Sequence, residues 1–492
     1  MQSREGVRQT SAVLTAGLFV LVAPTAQAAV VISSDATQDM SCSNGVCAPT
    51  ASDAVLNVAD LESLLGSGSV EVTSTGSGGV QANDVNVEAA LSWSNQNLLY
   101  IVALNWIGID KKIALAGQGG LSLATGADGA LSFGTKGSVT FADLSSALTI
   151  NGIAYTLVNN ITTLASDIAS NPAGSYALAN SYDASKDGTY SNSPIATELT
   201  GTVHGLGNTL SNLSVNHSKG KVSVGLFEYV AKTGSVDSLR LQKLTIISRN
   251  GQFGVGGLVG SNDGLLFGDT VDGSISSKGG NAGTVGGVVG GNGGTVTSSS
   301  ADVDLKGPGT AMQGGLAGLN EGTINFSHAT GNVESFLAGG LVGINTGDID
   351  QSYATGSIAG GWPGGLAGSS GGTITNSYST GTAGGKTESD AGLISDDEGA
   401  TVTSSYSAGA VKTGGGFVCQ HIDEPVFTND YWDTTTSGQV NGACHGNVGG
   451  VTGVTSKQLK SGLPSGFDPS IWAEDKKINN GFPYLINNPP AK

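Results

Sequence analysis

One stretch of the sequence points to the fold of the whole chain: Gly339-Gly340-Leu341-Val342-Gly343-Ile344-Asn345-Thr346-Gly347-Asp348-Ile349. Its glycine–apolar step recurs six times, at intervals of 25 to 30 residues. The copies are Gly257-Leu258, Gly287-Val288, Gly315-Leu316, Gly340-Leu341, Gly365-Leu366 and Gly392-Leu393. Another glycine follows seven residues later in every copy: Gly264, Gly294, Gly322, Gly347, Gly372 and Gly399. A repeat of this length is typical of solenoids, propellers and repeat arrays.

Each repeat contains short runs in which polar and apolar residues alternate, such as Gly322-Thr323-Ile324-Asn325. Alternation at a period of two predicts half-buried strands, and Gly and Asn between strands supply the positive φ of tight corners. One repeat has too few apolar residues to bury a core alone, whereas stacked repeats pair their strands about 4.8 Å apart. We therefore predict an all-β fold, a right-handed parallel β-helix (solenoid) with capped ends. The handedness follows from the crossover rule for parallel strands.

Polar and aromatic residues also recur in columns. The column Asn262, Asn292, Asn320 and Asn345 lies five residues after the first glycine of each step, and it predicts amide side chains that hydrogen-bond from coil to coil. A second column contains Ser300, His328, Tyr353, Tyr378 and Tyr406. Stacked strands bring these rings together, so we expect a stacking ladder; a ligand-binding role is the alternative.

Composition excludes several classes of protein. Glycine accounts for 79 of the 492 residues, charged residues for 12%, and the net charge is −18. An acidic chain without clusters of Lys and Arg is not suited to nucleic acid, because binding to phosphates needs such clusters. Collagen is excluded since glycine has no strict period of three. Coiled coils are excluded because the chain lacks their excess of Ala, Glu, Lys, Leu and Arg.

The N-terminus has the pattern of a signal peptide over residues 1–28. Arg4 and Arg8 precede an apolar run from Ala12 to Ala23, and Ala26-Gln27-Ala28 offers a cleavage site between small residues. An apolar run of this length is too short to cross a bilayer, which takes about 20 residues. We therefore expect an exported chain that does not span a membrane.

Four cysteines remain in the exported chain: Cys42, Cys47, Cys419 and Cys444. An even number of cysteines in an exported protein indicates disulfides, for which three pairings are possible. The pairing between sequence neighbours joins Cys42 to Cys47 and Cys419 to Cys444. Zinc binding is the alternative, although the spacings form no Cys-x-x-Cys pair.

The motif at residues 339–349, followed by Ser352-Tyr353-Ala354-Thr355-Gly356, resembles the GLUG repeat of bacterial surface proteins similar to filamentous haemagglutinin. The segment from Thr75 to Trp93 resembles the region before the repeats in those adhesins, and Tyr431-Trp432-Asp433 with Gly481-Phe482-Pro483-Tyr484-Leu485 resembles their closing segment. The resemblance covers roughly residues 70–487. The chain lacks the Asn-Pro-Asn motif of their secretion domain, so the route past the periplasm stays open.

With that resemblance, the expected division is a signal peptide (1–28), an N-terminal segment or cap (29–84), an irregular β-helix or pre-repeat region (85–200), a GLUG-repeat β-helix (201–418) and a C-terminal capping segment (419–492). The aromatic residues Trp432, Trp472, Phe482 and Tyr484 are expected to close the C-terminal end of the solenoid.

Three acidic clusters are candidates for the paired carboxylates of a polysaccharide hydrolase or lyase. They are Asp302 with Asp304, Asp348 with Asp350, and Asp396-Asp397-Glu398. We interpret them as solvated coil edges, since only Arg240 and Arg249 remain as arginines after the signal peptide and no His-Glu-x-x-His motif occurs. No catalytic, cofactor or metal site is expected.

The sequence therefore favours a non-catalytic, exported, adhesin-like protein, extracellular or on the cell surface, with the periplasm as the alternative location. Its expected partner is a ligand on a host or neighbouring cell, and the resemblance implies an outer-membrane export partner. A carbohydrate-active β-helix enzyme and a structural spacer or truncated adhesin are the alternative functions.

Overall fold

The computed structural model describes residues 28–127, 129–218, 222–249, 254–278, 283–307, 311–385, 388–421 and 425–490. The predicted signal peptide lies outside these ranges except for Ala28. Within them, parallel strands stack into a β-solenoid of about 14 turns with few helices. This confirms the predicted all-β solenoid class.

The first stack of coils contains three sheets in the described residues. Its five-stranded sheet has, in spatial order, Leu131–Phe133, Ile107–Ile109, Asp84–Val87, Ala29–Ser33 and Ala54–Asn57. Its three-stranded sheet has Ser138–Phe141, Lys112–Leu115 and Leu91–Trp93. Its seven-stranded sheet has Ile153–Ala154, Leu148–Ile150, Gly120–Ala124, Leu98–Val102, Val70–Thr73, Val46–Pro49 and Met40–Ser43.

The second stack also has three sheets in the described residues, and each coil crosses from one sheet to the next. The inner strands of its eleven-stranded sheet carry an apolar residue at their centre. This sheet has Thr156–Val158, Ser175–Leu178, Thr202–His204, Ser235–Asp237, Leu265–Phe267, Thr295–Thr297, Thr323–Asn325, Asp348–Asp350, Thr373–Thr375, Thr401–Thr403 and Val426–Thr428. Its eight-stranded sheet has Phe227–Val230, Val259–Asn262, Val289–Asn292, Ala317–Asn320, Val342–Asn345, Ala367–Ser370, Ile394–Asp397 and Val418–His421.

The third sheet of this stack is the longest and contains twenty described strands. They are Tyr182–Asp183, Thr189–Tyr190, Thr209–Ser211, Ser214–His217, Arg240–Ser248, Gly254–Gly256, Thr270–Ser277, Thr284–Gly286, Ser300–Lys306, Met312–Gly314, His328–Ala329, Val333–Gly339, Tyr353–Ala354, Ile358–Gly364, Tyr378–Ser379, Asp390–Ala391, Tyr406–Ser407, Gly414–Gly415, Asp430–Asp433 and Val451–Val454. A separate antiparallel pair, Trp472–Ala473 and Tyr484–Leu485, lies in the C-terminal tail.

A short helix lies near the start of each stack. Val58–Ser67 begins at Asn57, whose side chain accepts hydrogen bonds from two backbone N–H groups, and it buries Leu61 and Leu65. Ile161–Ser170 begins at Asn160, whose side chain accepts a hydrogen bond from the N–H of Thr163, and it buries Ile161, Leu164 and Ile168. The C-terminal region adds two single-turn helices, Thr434–Ser437 and Ser456–Leu459. Short 3₁₀ turns occupy Ser77–Gly79, Ala184–Asp187 and Asn479–Gly481.

Each stack has its own apolar core. The first core is built largely from residues before 158, and the second extends from Val158 to Ala443. Parallel pairing therefore begins at Ala29, within the segment expected as an N-terminal segment or cap, and continues through the region expected as irregular β-helix. The two cores meet near residue 157. The earlier coils escape the repeat pattern because their strands lack the glycine columns.

The C-terminal segment differs from the end cap that the sequence suggested. The coils continue through Val451–Val454, and the tail after them packs along the side of the second stack. There it forms a third apolar cluster with Tyr353, Tyr378 and Tyr406. In the described part of the chain, no helix is long and apolar enough to cross a membrane.

Candidate functional site

The asparagine column forms a buried ladder of hydrogen bonds. The Nδ2 of Asn262 donates to the Oδ1 of Asn292, and the same bond joins Asn292 to Asn320 and Asn320 to Asn345, each at 2.8 Å. The ladder ends where Asn345 Nδ2 donates to the Oγ of Ser370 at 3.3 Å. Each amide thus satisfies the next one inside the solenoid, as burial of polar groups requires. This is a structural role.

The glycine column is fixed by close contact between coils. A Cβ on Gly347 would lie 2.1 Å from the carbonyl oxygen of Gly322, and one on Gly372 would lie 2.1 Å from that of Gly347. A Cβ on Gly264, Gly294 or Gly322 would likewise lie 2.0 to 2.2 Å from the carbonyl oxygen of the glycine one coil before, which is Gly234 for Gly264. None of these five has a positive φ, so the contact excludes a side chain.

Gly399 does not belong to this column, which corrects the sequence interpretation. Thr401 pairs with Thr373, so the residue of the next coil that is equivalent to Gly372 is Ala400. Gly399 is an inserted residue with φ of 90°, and it lies between Asp397, which pairs with Ser370, and Ala400. Glycine suits this site because L-residues rarely adopt positive φ.

The tight corner beside the eleven-stranded sheet also differs from expectation. Its positive φ falls mostly on residues other than glycine: Ser238, Gly268, Ser298, Phe326, Gln351, Asn376, Ser404 and Asn429. In these coils, the residue after the positive-φ position stabilises the corner through a hydrogen bond to the equivalent residue of the next coil. For example, Ser327 N donates to Ser352 Oγ at 3.2 Å, and Ser352 N to Ser377 Oγ at 3.2 Å.

This serine ladder was missed in the sequence. It runs through Ser299, Ser327, Ser352, Ser377 and Ser405, with Asp269 at one end and Asp430 at the other. The signal was present, because a serine stands directly before each member of the aromatic column. Burial raises the pKa of Asp430 to about 8 and that of Asp269 well above its ordinary value.

The aromatic column is a stacking ladder beneath the C-terminal tail. The ring centroids of Tyr353 and Tyr378 lie 4.8 Å apart, and those of Tyr378 and Tyr406 lie 5.0 Å apart with nearly parallel planes. Trp472 covers the last two rings, and the Tyr406 hydroxyl donates to the Pro483 carbonyl at 2.6 Å. These tyrosines are buried and are not a ligand platform.

The cysteines form two disulfides, Cys42–Cys47 and Cys419–Cys444. The first closes a hairpin between Met40–Ser43 and Val46–Pro49, and the second joins two successive coils of the second stack. Among the described residues, no group of three or more His, Cys, Asp or Glu is placed to hold a metal ion.

The acidic clusters lie apart from one another. Asp302 and Asp304 are exposed on one strand, and Asp304 accepts hydrogen bonds from Asn332. Asp350 accepts hydrogen bonds from Thr375 at 2.7 Å and Asn376 at 3.0 Å, which ties two coils together. In the third cluster Asp397 caps a turn by accepting from the N–H of Ala400 at 2.8 Å.

A pair of aromatic side chains, the exposed Phe336 and the half-buried Trp362, lies on the twenty-stranded sheet. Phe336 is 51% exposed, and its ring lies 6.4 Å from that of Trp362 on the next coil. Gly361 makes room for it, since a Cβ there would come 2.7 Å from the Phe336 ring. Glu334 is exposed two residues before Phe336 on the same strand, so a charged side chain adjoins the pair.

The junction of the two stacks contains a cavity of about 230 Å³ that the sequence did not reveal. Leu131, Ile150, Ile153 and Tyr155 line it from the first stack, and His204, Asp237, Leu265, Phe267 and Thr297 from the second. Burial lowers the pKa of His204 to about 3 and raises that of Asp237 to about 7. These residues were scattered in the sequence, at separations unrelated to the repeat.

Arg240 lies in a neighbouring cavity of about 250 Å³, where it joins the two stacks. Its guanidinium donates to four backbone carbonyls: Gly134 and Gly207 at 2.7 Å, Gly137 at 3.1 Å and Phe133 at 3.4 Å. Both terminal nitrogens of the guanidinium thus donate to backbone oxygens, so Arg240 acts as a structural clamp.

Comparison with known proteins supports the repeat. The family described as the GLUG motif matches residues 334–359, the coil that carries Phe336. Halomucin of Haloquadratum walsbyi is 39% identical over 98 residues, which amount to 19% of this chain and 1% of halomucin. The chain is thus similar to a small part of halomucin, and it carries a GLUG motif on a β-solenoid.

Proposed function

We propose that this chain is an exported, adhesin-like protein that attaches to a ligand on a host or neighbouring cell through the side of its solenoid, without catalysis. The GLUG motif, the solenoid and the resemblance to filamentous-haemagglutinin-like adhesins support this function. Export would follow from the signal-peptide pattern in residues 1–28.

The observation that carries the proposal is the pair formed by the exposed Phe336 and the half-buried Trp362, since Phe336 lies within the GLUG match. Aromatic residues are enriched at protein interfaces, and exposed apolar groups with polar surroundings mark interaction sites. The parallel coils present this pair on a rigid sheet, so contact with a surface costs little conformational entropy.

The test compares attachment of purified variants to cells of the native community. Phe336→Ser combined with Trp362→Ser should lower attachment at least tenfold. Val440→Ser removes an apolar side chain that is 85% exposed elsewhere and should leave attachment unchanged. Equal attachment by the aromatic variant and the wild type would contradict the proposed surface.

Acidic and neutral polysaccharides provide the test against the enzyme alternative. Incubation with the purified protein should yield no new reducing ends and no unsaturated products. Asp302→Asn with Asp304→Asn should leave attachment nearly intact, because neither carboxylate belongs to the aromatic pair that the proposal places at the contact. Cleavage that disappears with one carboxylate variant would replace the adhesin proposal with the enzyme.

A further inference from the structure

The cavity at the junction has a histidine whose second ring nitrogen is free. His204 is 5% exposed, and its Nδ1 accepts a hydrogen bond from the backbone N–H of Leu206 at 3.0 Å. Nδ1 therefore carries no proton, and since burial keeps the ring neutral the proton is on Nε2. Among the described residues Nε2 has no hydrogen-bond partner, and His204 lines the cavity, so we infer that a ligand there can accept from this donor.

A carboxyl group stands beside this donor. Asp237 pairs with His204 across adjacent strands of the eleven-stranded sheet. The backbones of the two residues therefore lie about 4.8 Å apart. The Oδ2 of Asp237 accepts from Ser235 Oγ at 3.2 Å, and its Oδ1 has no partner in the described part of the chain. A single hydroxyl oxygen between the two side chains can accept from His204 and donate to Asp237.

Most of the remaining lining of the cavity is apolar, with Asn151 and Thr297 as its further polar side chains. Leu131, Ile150, Ile153, Leu265 and Phe267 surround it, and the Tyr155 ring closes one side. Each hydroxyl placed against these walls would lose its hydrogen bonds to water without replacement. The cavity therefore suits a ligand with one hydroxyl far better than a sugar with several. Apolar cavities somewhat smaller than this one hold a benzene ring.

We propose that this junction cavity binds a small uncharged aromatic or alicyclic alcohol of one or two rings, with its hydroxyl between His204 and Asp237. The site is independent of the aromatic pair at Phe336 and Trp362, and it would give the adhesin-like chain a second, small-molecule binding function.

The probes are 2-naphthol, naphthalene and a simple hexose, and binding is measured by saturation-transfer NMR and calorimetry on the full chain. The wild type should bind 2-naphthol about tenfold more tightly than naphthalene, since one buried hydrogen bond contributes roughly that factor. It should not bind the hexose. Binding of the hexose in preference to 2-naphthol, or no binding of 2-naphthol, overturns the proposal.

Two variants locate the site and the hydroxyl. Leu265→Trp fills the cavity from a half-exposed position and should abolish binding of both naphthalene and 2-naphthol. Thr295→Trp places the same ring on the same face one coil away and should leave binding unchanged. The Asp237→Leu variant should bind both probes equally. The substitution removes a half-buried carboxyl whose charged form is partly desolvated, so it is not expected to impair folding. Binding retained by Leu265→Trp, or a preference for 2-naphthol retained by Asp237→Leu, overturns the proposal.

Phe336→Ser with Trp362→Ser should still bind 2-naphthol, and Leu265→Trp should still attach to cells. The two proposals therefore fail or succeed separately. A reduced attachment of Leu265→Trp would contradict the independence of the two sites.

Discussion

At the scale of single residues, identical neighbours hold the coils together. Asn262 to Asn345 bond amide to amide, and the Gly264 to Gly372 column lets backbones approach to a distance that no Cβ permits. A residue type that recurs at one position of the repeat thus indicates that equivalent positions of successive coils are in contact. A substitution in such a column disturbs the coils on both sides.

Gly347→Val should therefore destabilise the repeat region strongly. The new side chain would clash with the carbonyl of Gly322, and relief requires separation of two coils, at a cost of about 3 kcal/mol or more. Ser357→Val is the control, since Ser357 is exposed and directly precedes the strand Ile358–Gly364. Thermal melts of the purified protein provide the measurement, and equal losses in the two variants would contradict the steric role of the column.

Asp430 should make stability depend on pH. Its pKa is raised by burial to about 8 in the folded protein, so folding favours the protonated form. This contribution is full below a pH of about 4, near the pKa of an unfolded Asp, and is lost as the pH rises to about 8. Melting temperature should thus fall by several degrees between pH 5 and pH 8.

Asp430→Ser should weaken that dependence, because serine occupies the same position in the five preceding coils and does not titrate. Asp304→Ser, which removes an exposed carboxylate, should leave the pH profile of the wild type unchanged. An Asp430→Ser profile as steep as that of the wild type would show that other buried acids, such as Asp269, control the pH response.

At the scale of elements, the C-terminal tail acts as a side cover. Asn488 reaches back to donate to the carbonyls of Ser327 and Gln351, each at 3.1 Å, and Trp472 packs on Tyr378, Tyr406 and Phe467. The ladder needs this cover, since an exposed row of stacked tyrosines would leave a large apolar surface in water.

Trp472→Ala should therefore release the tail, with a loss of about 3–5 kcal/mol, the usual cost of removing a buried tryptophan side chain. The tyrosines of the ladder, whose pKa values burial raises, would then ionise near the ordinary value of about 10. Spectrophotometric titration measures this change. Trp362→Ala, on the exposed side, should leave the titration unaltered, and ladder tyrosines that stay protonated in Trp472→Ala would refute the cover.

The disulfides are also a property of elements, because each joins neighbouring segments. The exported protein should contain no free thiol when titrated in denaturant, since all four cysteines are paired in the structure. Four titratable thiols would instead favour metal binding by these residues.

At the scale of the whole molecule, two stacks with separate cores are joined by few but specific contacts. The N–H groups of Val139 and Phe141 donate to the carbonyls of Leu206 and Ala179, at 3.0 and 2.9 Å, and Arg240 clamps four more carbonyls. The cavity with His204 and Asp237 exists because the stacks meet at this point.

Arg240→Met should loosen this junction. Four carbonyls would lose charge-assisted bonds, each worth about 1.5–3 kcal/mol, although water can replace some of them. The amides of Val139 and Phe141 should then exchange hydrogen at least tenfold faster, as measured by NMR or mass spectrometry. Lys306→Met removes an exposed cation from the second stack and should leave their exchange unchanged. Unaltered exchange in Arg240→Met would contradict the clamp.

The sequence by itself determined the solenoid and, in its second stack, the asparagine and tyrosine ladders. Asn345, Gly347 and Tyr353 each lie one coil from an equivalent residue of the neighbouring repeat. The period of the repeat therefore predicts which of these residues meet. This worked because stacking is a contact between equal positions, and equal positions are visible as columns in the sequence.

Only the tertiary structure decided the contacts between unequal positions. Trp472 meets Tyr378, and Tyr155 meets His204, at separations that follow no period. The same holds for the corner, where Phe326 and Gln351 take a positive φ that propensity assigns to glycine, because the serine ladder and the stacked coils hold the backbone there. Such contacts depend on how the coils are offset and where the tail returns, and packing of the whole chain sets both.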